Sequence, residues 1–288
     1  MSIAFLNGEF LDLNQARISP LDRGFLFGDG IYEVIPTYKG QAVGLKEHLE
    51  RLESGLNAIG IPVPYSNQEW CSIIDALIEK NRALTGAENL GIYIQISRGA
   101  DTKRNHAFPD GVKPTCFSYT MDIPSPPVAD RTRAKGFKVA LQQDKRWQLC
   151  HIKSTSLLGN VIHYQEGKAS GLDETILFNE DKLITEASSS NVFMVKNGEV
   201  TTPPLDNQIL PGITRRLVIR SLEKEGIAIT KRHFTIEELL SADEVWLTSS
   251  SKEIAPVVEI DGNVIGNGEI GAVWENALTI FNKYKFEH

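Results

Sequence analysis

Hydrophobic positions change their period several times along this chain, and each change predicts an element. Leu49, Leu52, Leu56 and Ile59 recur at helical spacing from Lys46 to Ile59, and Gly60 follows as a stop. A second helix is predicted from Gln68 to about Leu84, burying Trp70, Ile73, Ile74, Leu77 and Ile78. Alternation takes over at Ile31–Thr37, Leu90–Ser97 and Thr115–Met121, which predicts half-buried strands. Asn7-Gly8, set between two short apolar runs, predicts a hairpin over residues 1–12, and Lys39-Gly40 marks a second turn. The stretch Arg98–Lys113 is polar and reads as a loop.

The pattern breaks at Asp122–Lys135, where Pro124, Pro126 and Pro127 sit among charges and few large apolar residues. That composition predicts an interdomain linker at 122–135, between a small N-terminal domain (1–121) and a larger C-terminal one (136–288). Beyond it the pattern predicts strands near Phe137–Leu141, Glu174–Phe178, Asn191–Val195, Val200–Thr202 and Glu244–Leu247. Helices are expected over about Ser156–Ala169, over Gly212–Glu225 and from about Glu269 onward. Strands and helices mix without regular β-α-β alternation, so the expected fold class is α+β in two domains rather than one doubly wound sheet.

Composition changes the picture by exclusion. With 288 residues, 41% of them hydrophobic and 23% charged, the chain is neither disordered nor fibrous. Its net charge is −7 and its basic residues are dispersed, which argues against a nucleic-acid partner. Cys71, Cys116 and Cys150 are odd in number and form no CxxC, which fits a reducing compartment better than a disulfide framework. No stretch reaches membrane-spanning length, so the expectation is a soluble, cytoplasmic protein with no membrane partner.

Several segments could carry chemistry. Asp22–Val34 places Gly24, Gly28 and Gly30 beside charged and aromatic residues, either for close approach to a ligand or for a plain turn. Lys153 stands just before an apolar helix, where a desolvated amine could serve a cofactor, although a solvated lysine is the commoner occupant of such a position. Thr185-Glu186-Ala187-Ser188-Ser189-Ser190-Asn191 sets one carboxylate ahead of three hydroxyls. Leu210-Pro211-Gly212-Ile213-Thr214-Arg215 reads as a helix start with free amides, suited to phosphate or to ordinary capping. Thr248-Ser249-Ser250-Ser251 is a second hydroxyl cluster, and Arg104 and His106 form a cationic pair suited to a carboxylate. HExxH, GxSxG and the nucleotide fingerprints are missing from the sequence, so neither a protein-built metal site nor a serine triad is expected.

Taken in order, these segments resemble the fold-type IV pyridoxal-phosphate enzymes, and among them the D-amino acid aminotransferases through Asp22–Val34, His48–Leu52, Arg104–His106, Ile152–Gly159 and Glu186–Phe193. The resemblance implies a two-domain α+β homodimer that binds pyridoxal 5′-phosphate. Lys153 then matches the lysine that links to the cofactor, and Glu186 the carboxylate that keeps its ring nitrogen protonated. Arg51, Ile213, Thr214, Ser249 and Ser250 match the phosphate ligands, while Leu210 and Arg146 match positions beside the cofactor. Tyr32, Val34, Arg104 and His106 match substrate-binding positions, the last two reaching in from the other subunit. The implied reaction moves an amino group from a D-amino acid, typically D-alanine, to 2-oxoglutarate. A lyase acting on an aminodeoxychorismate and an L-branched-chain aminotransferase are the competing members. Leu158 stands where the branched-chain enzymes generally carry Tyr.

Overall fold

In the computed structural model, which describes residues 2–287, the chain opens with the hairpin of β1 (Ile3–Leu6) and β2 (Glu9–Asp12). Asn7 and Gly8 turn it with φ of 51° and 101°, as the Asn-Gly pair requires. A short helix, α1 (Arg23–Phe27), follows, capped by the Asp22 side chain on the Gly24 amide, where the sequence pattern points to close approach or a plain turn and not to a helix. Next come β3 (Gly30–Tyr38), β4 (Gln41–Ala42), α2 (Leu45–Ala58), α3 (Asn67–Thr85), β5 (Asn89–Ser97) and β6 (Thr115–Asp122). The strands form an antiparallel sheet of six in the order β2-β1-β6-β5-β3-β4.

Alternation sorts the faces of that sheet. Ile92, Ile94 and Ile96 of β5 and Ile31 and Ile35 of β3 join Leu49, Leu52, Leu56, Trp70, Ile74 and Leu77 of α2 and α3 in one buried core. Gly55 permits the close approach of α2, since a Cβ there would lie 3.1 Å from the Ile31 side chain. The other register positions make an aromatic row: Tyr32 stacks on Tyr93 at 5.9 Å, and Tyr93 meets Tyr119 at 5.3 Å.

The second unit contains β7 (Phe137–Gln143), α4 (Leu158–Ala169), β8 (Glu174–Phe178), β9 (Ile184–Ala187), β10 (Asn191–Lys196), β11 (Glu199–Thr202), α5 (Ile213–Lys224) and β12 (Ile229–Lys231). It continues through α6 (Ile236–Leu240), β13 (Glu244–Ser249), β14 (Glu253–Ile260), β15 (Asn263–Val264) and α7 (Ala272–Tyr284). Its nine strands run β12-β11-β10-β13-β14-β7-β8-β9, with β15 on β14, and mix parallel with antiparallel pairs. Val139, Ile176, Val192, Met194, Leu247 and Val257 share its core with Phe234 and Leu239.

The compact units divide at Ser125/Pro126, inside the stretch expected as a linker. The segment Ile152–Leu157, which was expected in the C-terminal domain with Lys153, belongs to the first unit. Its backbone explains the assignment: the Tyr32 amide donates to the Lys153 carbonyl at 3.0 Å, Thr155 N–H donates to the Gly30 carbonyl at 2.9 Å, and Ile31 bridges Ser154. The helix expected from Ser156 accordingly starts at Leu158.

Candidate active site

In the first unit the glycines of residues 24–30 serve backbone approach. A Cβ on Gly30 would sit 2.8 Å from the Ile96 carbonyl, and one on Gly28, at φ +67°, would overlap the Ser156 hydroxyl. These glycines admit the 152–157 segment to the edge of β3, and Thr155 Oγ1 donates to the Gly28 carbonyl at 2.9 Å. Lys153 is thereby set with its Nζ 4.2 Å from the centre of the Tyr32 ring. Tyr32 and Val34 share one face of β3, half-buried, while Glu33 points to the other and is wholly buried. There Arg51 forks onto Glu33, Nε to Oε1 at 2.7 Å and Nη2 to Oε2 at 2.8 Å, and His48 Nδ1 lies 2.6 Å from Oε2. Burial works to raise the Glu33 pKa, yet Arg51 and His48 overcome it and hold the carboxyl well below its usual range.

Arg104 and His106 lie on the exposed loop between β5 and β6, as the polar pattern indicated. Both gather on Phe27: the Arg104 guanidinium is 5.0 Å from the ring centre and the His106 ring 5.3 Å from it. Their aromatic neighbour is thus Phe27 rather than Tyr32. The loop backbone is held from beneath by Arg23, a residue that local sequence pattern did not single out.

The second unit holds a different carboxylate arrangement. Glu186 of β9 is buried and accepts from Arg146 Nη1 at 2.6 Å, from the Leu210 amide at 2.9 Å and from the Asn191 amide nitrogen at 3.3 Å. Arg146 spends the rest of its fork on Asp144, with Nε at 3.0 Å and Nη2 at 2.7 Å. Burial therefore dominates, and the Glu186 pKa is pushed up to about 7 despite Arg146 and the Leu210 N–H. Asp144 and Arg146 are two residues apart just past β7, and the Arg146 amide donates to the Asp144 side chain at 2.9 Å, a local Asx turn that could have flagged the pair.

Beside them, Ile213 and Thr214 open α5, whose N-cap Gly212 supplies no side-chain cap to the first-turn amides. A Cβ on Gly212 would collide with Asn191, which itself donates to the Leu210 carbonyl at 2.9 Å. Ser249 ends β13, and the Lys252 amide donates to its hydroxyl at 3.2 Å before Ser250 and Ser251 complete the turn. The adjoining Thr248 hydroxyl is buried without a hydrogen-bond partner among the described residues. Sequence reasoning also missed the bond network behind Ser188 and Ser189: both hydroxyls donate to buried Glu174, and Lys252 Nζ reaches the same carboxylate at 3.1 Å.

A carboxylate short of one positive partner could accept from a protonated ring nitrogen, while uncapped helix amides and clustered hydroxyls could donate to a phosphate, which is what a phosphorylated, protonated heteroaromatic ring would need. The residues present therefore fit pyridoxal phosphate chemically. The model of the class IV amino-transferase family matches residues 30–260. The chain is 39% identical to the D-alanine aminotransferase of Staphylococcus haemolyticus, over 99% of this chain and 98% of that one. It is 37% identical to the D-alanine aminotransferase of Bacillus licheniformis, over 97% of this chain and 95% of that one. Among solved structures, the branched-chain amino acid aminotransferase of Escherichia coli shares the fold at a TM-score of 0.88 and 23% identity, covering 99% of this chain and 95% of that one.

Proposed function

The chain belongs to the class IV amino-transferase family, and on that premise we propose that it transfers the amino group of a D-amino acid, D-alanine foremost, to a 2-oxo acid such as 2-oxoglutarate. Pyridoxal 5′-phosphate is its cofactor, and pyruvate and D-glutamate are the products. The observation that carries this reading is Glu186, a buried carboxyl held at about 7, where it can share a proton with a ring nitrogen. When bound, the cofactor supplies an electron-withdrawing ring that stabilises negative charge at the substrate Cα.

The chain's own residues do the rest. Lys153 would hold the cofactor through its amine and would move the proton at the substrate Cα; Tyr32 lies beneath that amine. Arg146 and the Leu210 amide hold Glu186 in orientation. Arg51, the first-turn amides at Ile213 and Thr214, and the Ser249 and Ser250 hydroxyls hold the phosphate, with the α5 dipole favouring the anion. Tyr32 and Val34 face the substrate, and Arg104 and His106 take its α-carboxylate from a second copy of the chain. A homodimer is supported by the apolar face of α4, where Leu158, Val161 and Ile162 are exposed by 73%, 56% and 47%. Three free cysteines support a cytoplasmic setting, and no helix among the described residues is long and apolar enough to cross a membrane.

Product analysis of the purified holoenzyme with D-alanine and 2-oxoglutarate tests the reading, with L-leucine and an aminodeoxychorismate in parallel. Pyruvate and D-glutamate are expected from the first pair. Turnover of L-leucine or of the chorismate derivative in place of D-alanine overturns it. Borohydride reduction should fix the cofactor on the peptide containing Lys153, and a label on another lysine removes that assignment.

A further inference from the structure

We infer that Arg23 is a positioning residue for substrate carboxylate binding, acting through the backbone of the loop that presents Arg104 and His106. The inference rests on reading those two side chains as the carboxylate-binding pair. Arg23 lies on α1, only 3% exposed, and both of its terminal nitrogens bond to that loop. Nη1 donates to the Asn105 carbonyl at 2.5 Å and to the Ala107 carbonyl at 3.3 Å, while Nη2 donates to the His106 carbonyl at 3.2 Å. Consecutive carbonyls are thus gripped by one planar cation, which fixes the backbone on both sides of His106.

The grip has a fixed reference. Arg23 Nε donates to Asp29 at 2.8 Å, and the same carboxylate receives Arg98 Nε at 2.8 Å and Nη2 at 3.0 Å. Arg98 in turn donates to the Ile59 and Gly60 carbonyls at 2.7 Å and 2.9 Å, just past the end of α2, and its guanidinium lies 3.5 Å from the Phe108 ring centre. The loop is therefore tied at residues 105–108 to the rigid part of the first unit. Phe27, one helical turn beyond Arg23, supplies the platform on which the Arg104 and His106 side chains rest. Asp29 offsets the repulsion that the buried Arg23 and Arg98 would otherwise exert on one another, and their charges hold its own carboxyl below the usual range against the effect of burial.

An unanchored loop carrying two long or bulky polar side chains would lose much of its binding energy in becoming ordered. Arg23 removes that cost in advance. A lysine could not do the same, because one ammonium tip cannot span several carbonyls and a carboxylate in one plane.

The test uses the holoenzyme with Arg23→Lys, Asp29→Asn, Arg104→Ala and the double variant Arg23→Lys/Arg104→Ala. Arg23→Lys should raise KM for D-alanine and for 2-oxoglutarate about 10-fold, the order expected on losing one charge-assisted bond, while kcat stays within about twofold. The bound-cofactor spectrum should be unchanged, and amide exchange over residues 104–107 should quicken. Asp29→Asn should move KM and exchange in the same direction by less. In the Arg104→Ala background, Arg23→Lys should raise KM much less than it does alone, because its effect passes through Arg104. Unchanged KM in Arg23→Lys, or a fall in kcat and melting temperature without a KM change, overturns the inference while leaving the carboxylate pair intact. Unchanged KM in Arg104→Ala instead overturns the reading of the pair, and this inference with it.

Discussion

Glu33 and Glu186 are both buried carboxyls, each in contact with an arginine, and they end at opposite extremes. Glu33 receives two N–H groups of Arg51 and a histidine nitrogen, and so stays an anion. Glu186 receives one N–H of Arg146, because Asp144 takes the other side of the guanidinium. What separates them is how the neighbouring cation is shared, since burial pushes both pKa values upward. Glu33 is satisfied by its own chain and anchors Arg51. Glu186 is left with an unmet demand for positive charge, which under the proposed function a pyridinium proton would meet.

Removing each charge should therefore break different properties. Glu33→Gln removes the wholly buried anion that Arg51 and His48 share, so the unfolding free energy should fall by roughly 3–5 kcal/mol in denaturant titration. A loss under about 1 kcal/mol would show that the pair is poorly coupled. Glu186→Gln should cost little in stability and about 100-fold in turnover, as expected when one strong electrostatic partner of the reacting group is lost. Full turnover in that variant would mean that the ring nitrogen is held elsewhere.

Asp144→Asn sharpens the contrast, since it frees Arg146 to fork onto Glu186 as Arg51 does onto Glu33. The Glu186 pKa should drop toward the ordinary carboxylate range, and turnover should fall about 10-fold for a unit lost in basicity. Unaltered turnover together with a lowered pKa would separate proton affinity from catalysis. The smallest effect is on pH-dependent stability without cofactor. Glu186 titrates at about 7 folded against 4.5 unfolded, so its contribution is fully present below pH 4.5 and is lost as pH rises through 7. Glu33 runs the other way, contributing above pH 4.5 and losing that contribution as pH falls. Melting curves from pH 4 to 8 should show Glu186→Gln flattening the upper slope only.

Local pattern carried the elements with a clean period. β5 alternates Ile92, Ile94 and Ile96 toward the core, and α2 repeats Leu49, Leu52 and Leu56. β14 was not legible, because it is buried almost throughout and carries Pro256, a residue that argues against an inner strand. The strand accommodates it beside a register shift between Val257 and Glu259. β9, β12 and α6 are too short for a period to emerge. Among the residues proposed to act, Lys153, Glu186 and the Arg104/His106 pair stand out in the sequence as residue types in order. Their partners do not, since Glu186 meets Arg146 across 40 residues and Asp29 meets Arg98 across 69. Such pairs are set by strand register, as where Gly30 opposes Ser97.

The most direct test is carbon-13 titration of the Glu186 carboxyl, assigned by its loss in Glu186→Gln, in the enzyme with and without its cofactor. A midpoint near 7 without cofactor is predicted, with the carboxyl ionised across the same range once a protonated ring nitrogen is beside it. A midpoint at or below the ordinary carboxylate value in the cofactor-free protein would contradict the account, because Glu186 would then be as fully satisfied by its own chain as Glu33.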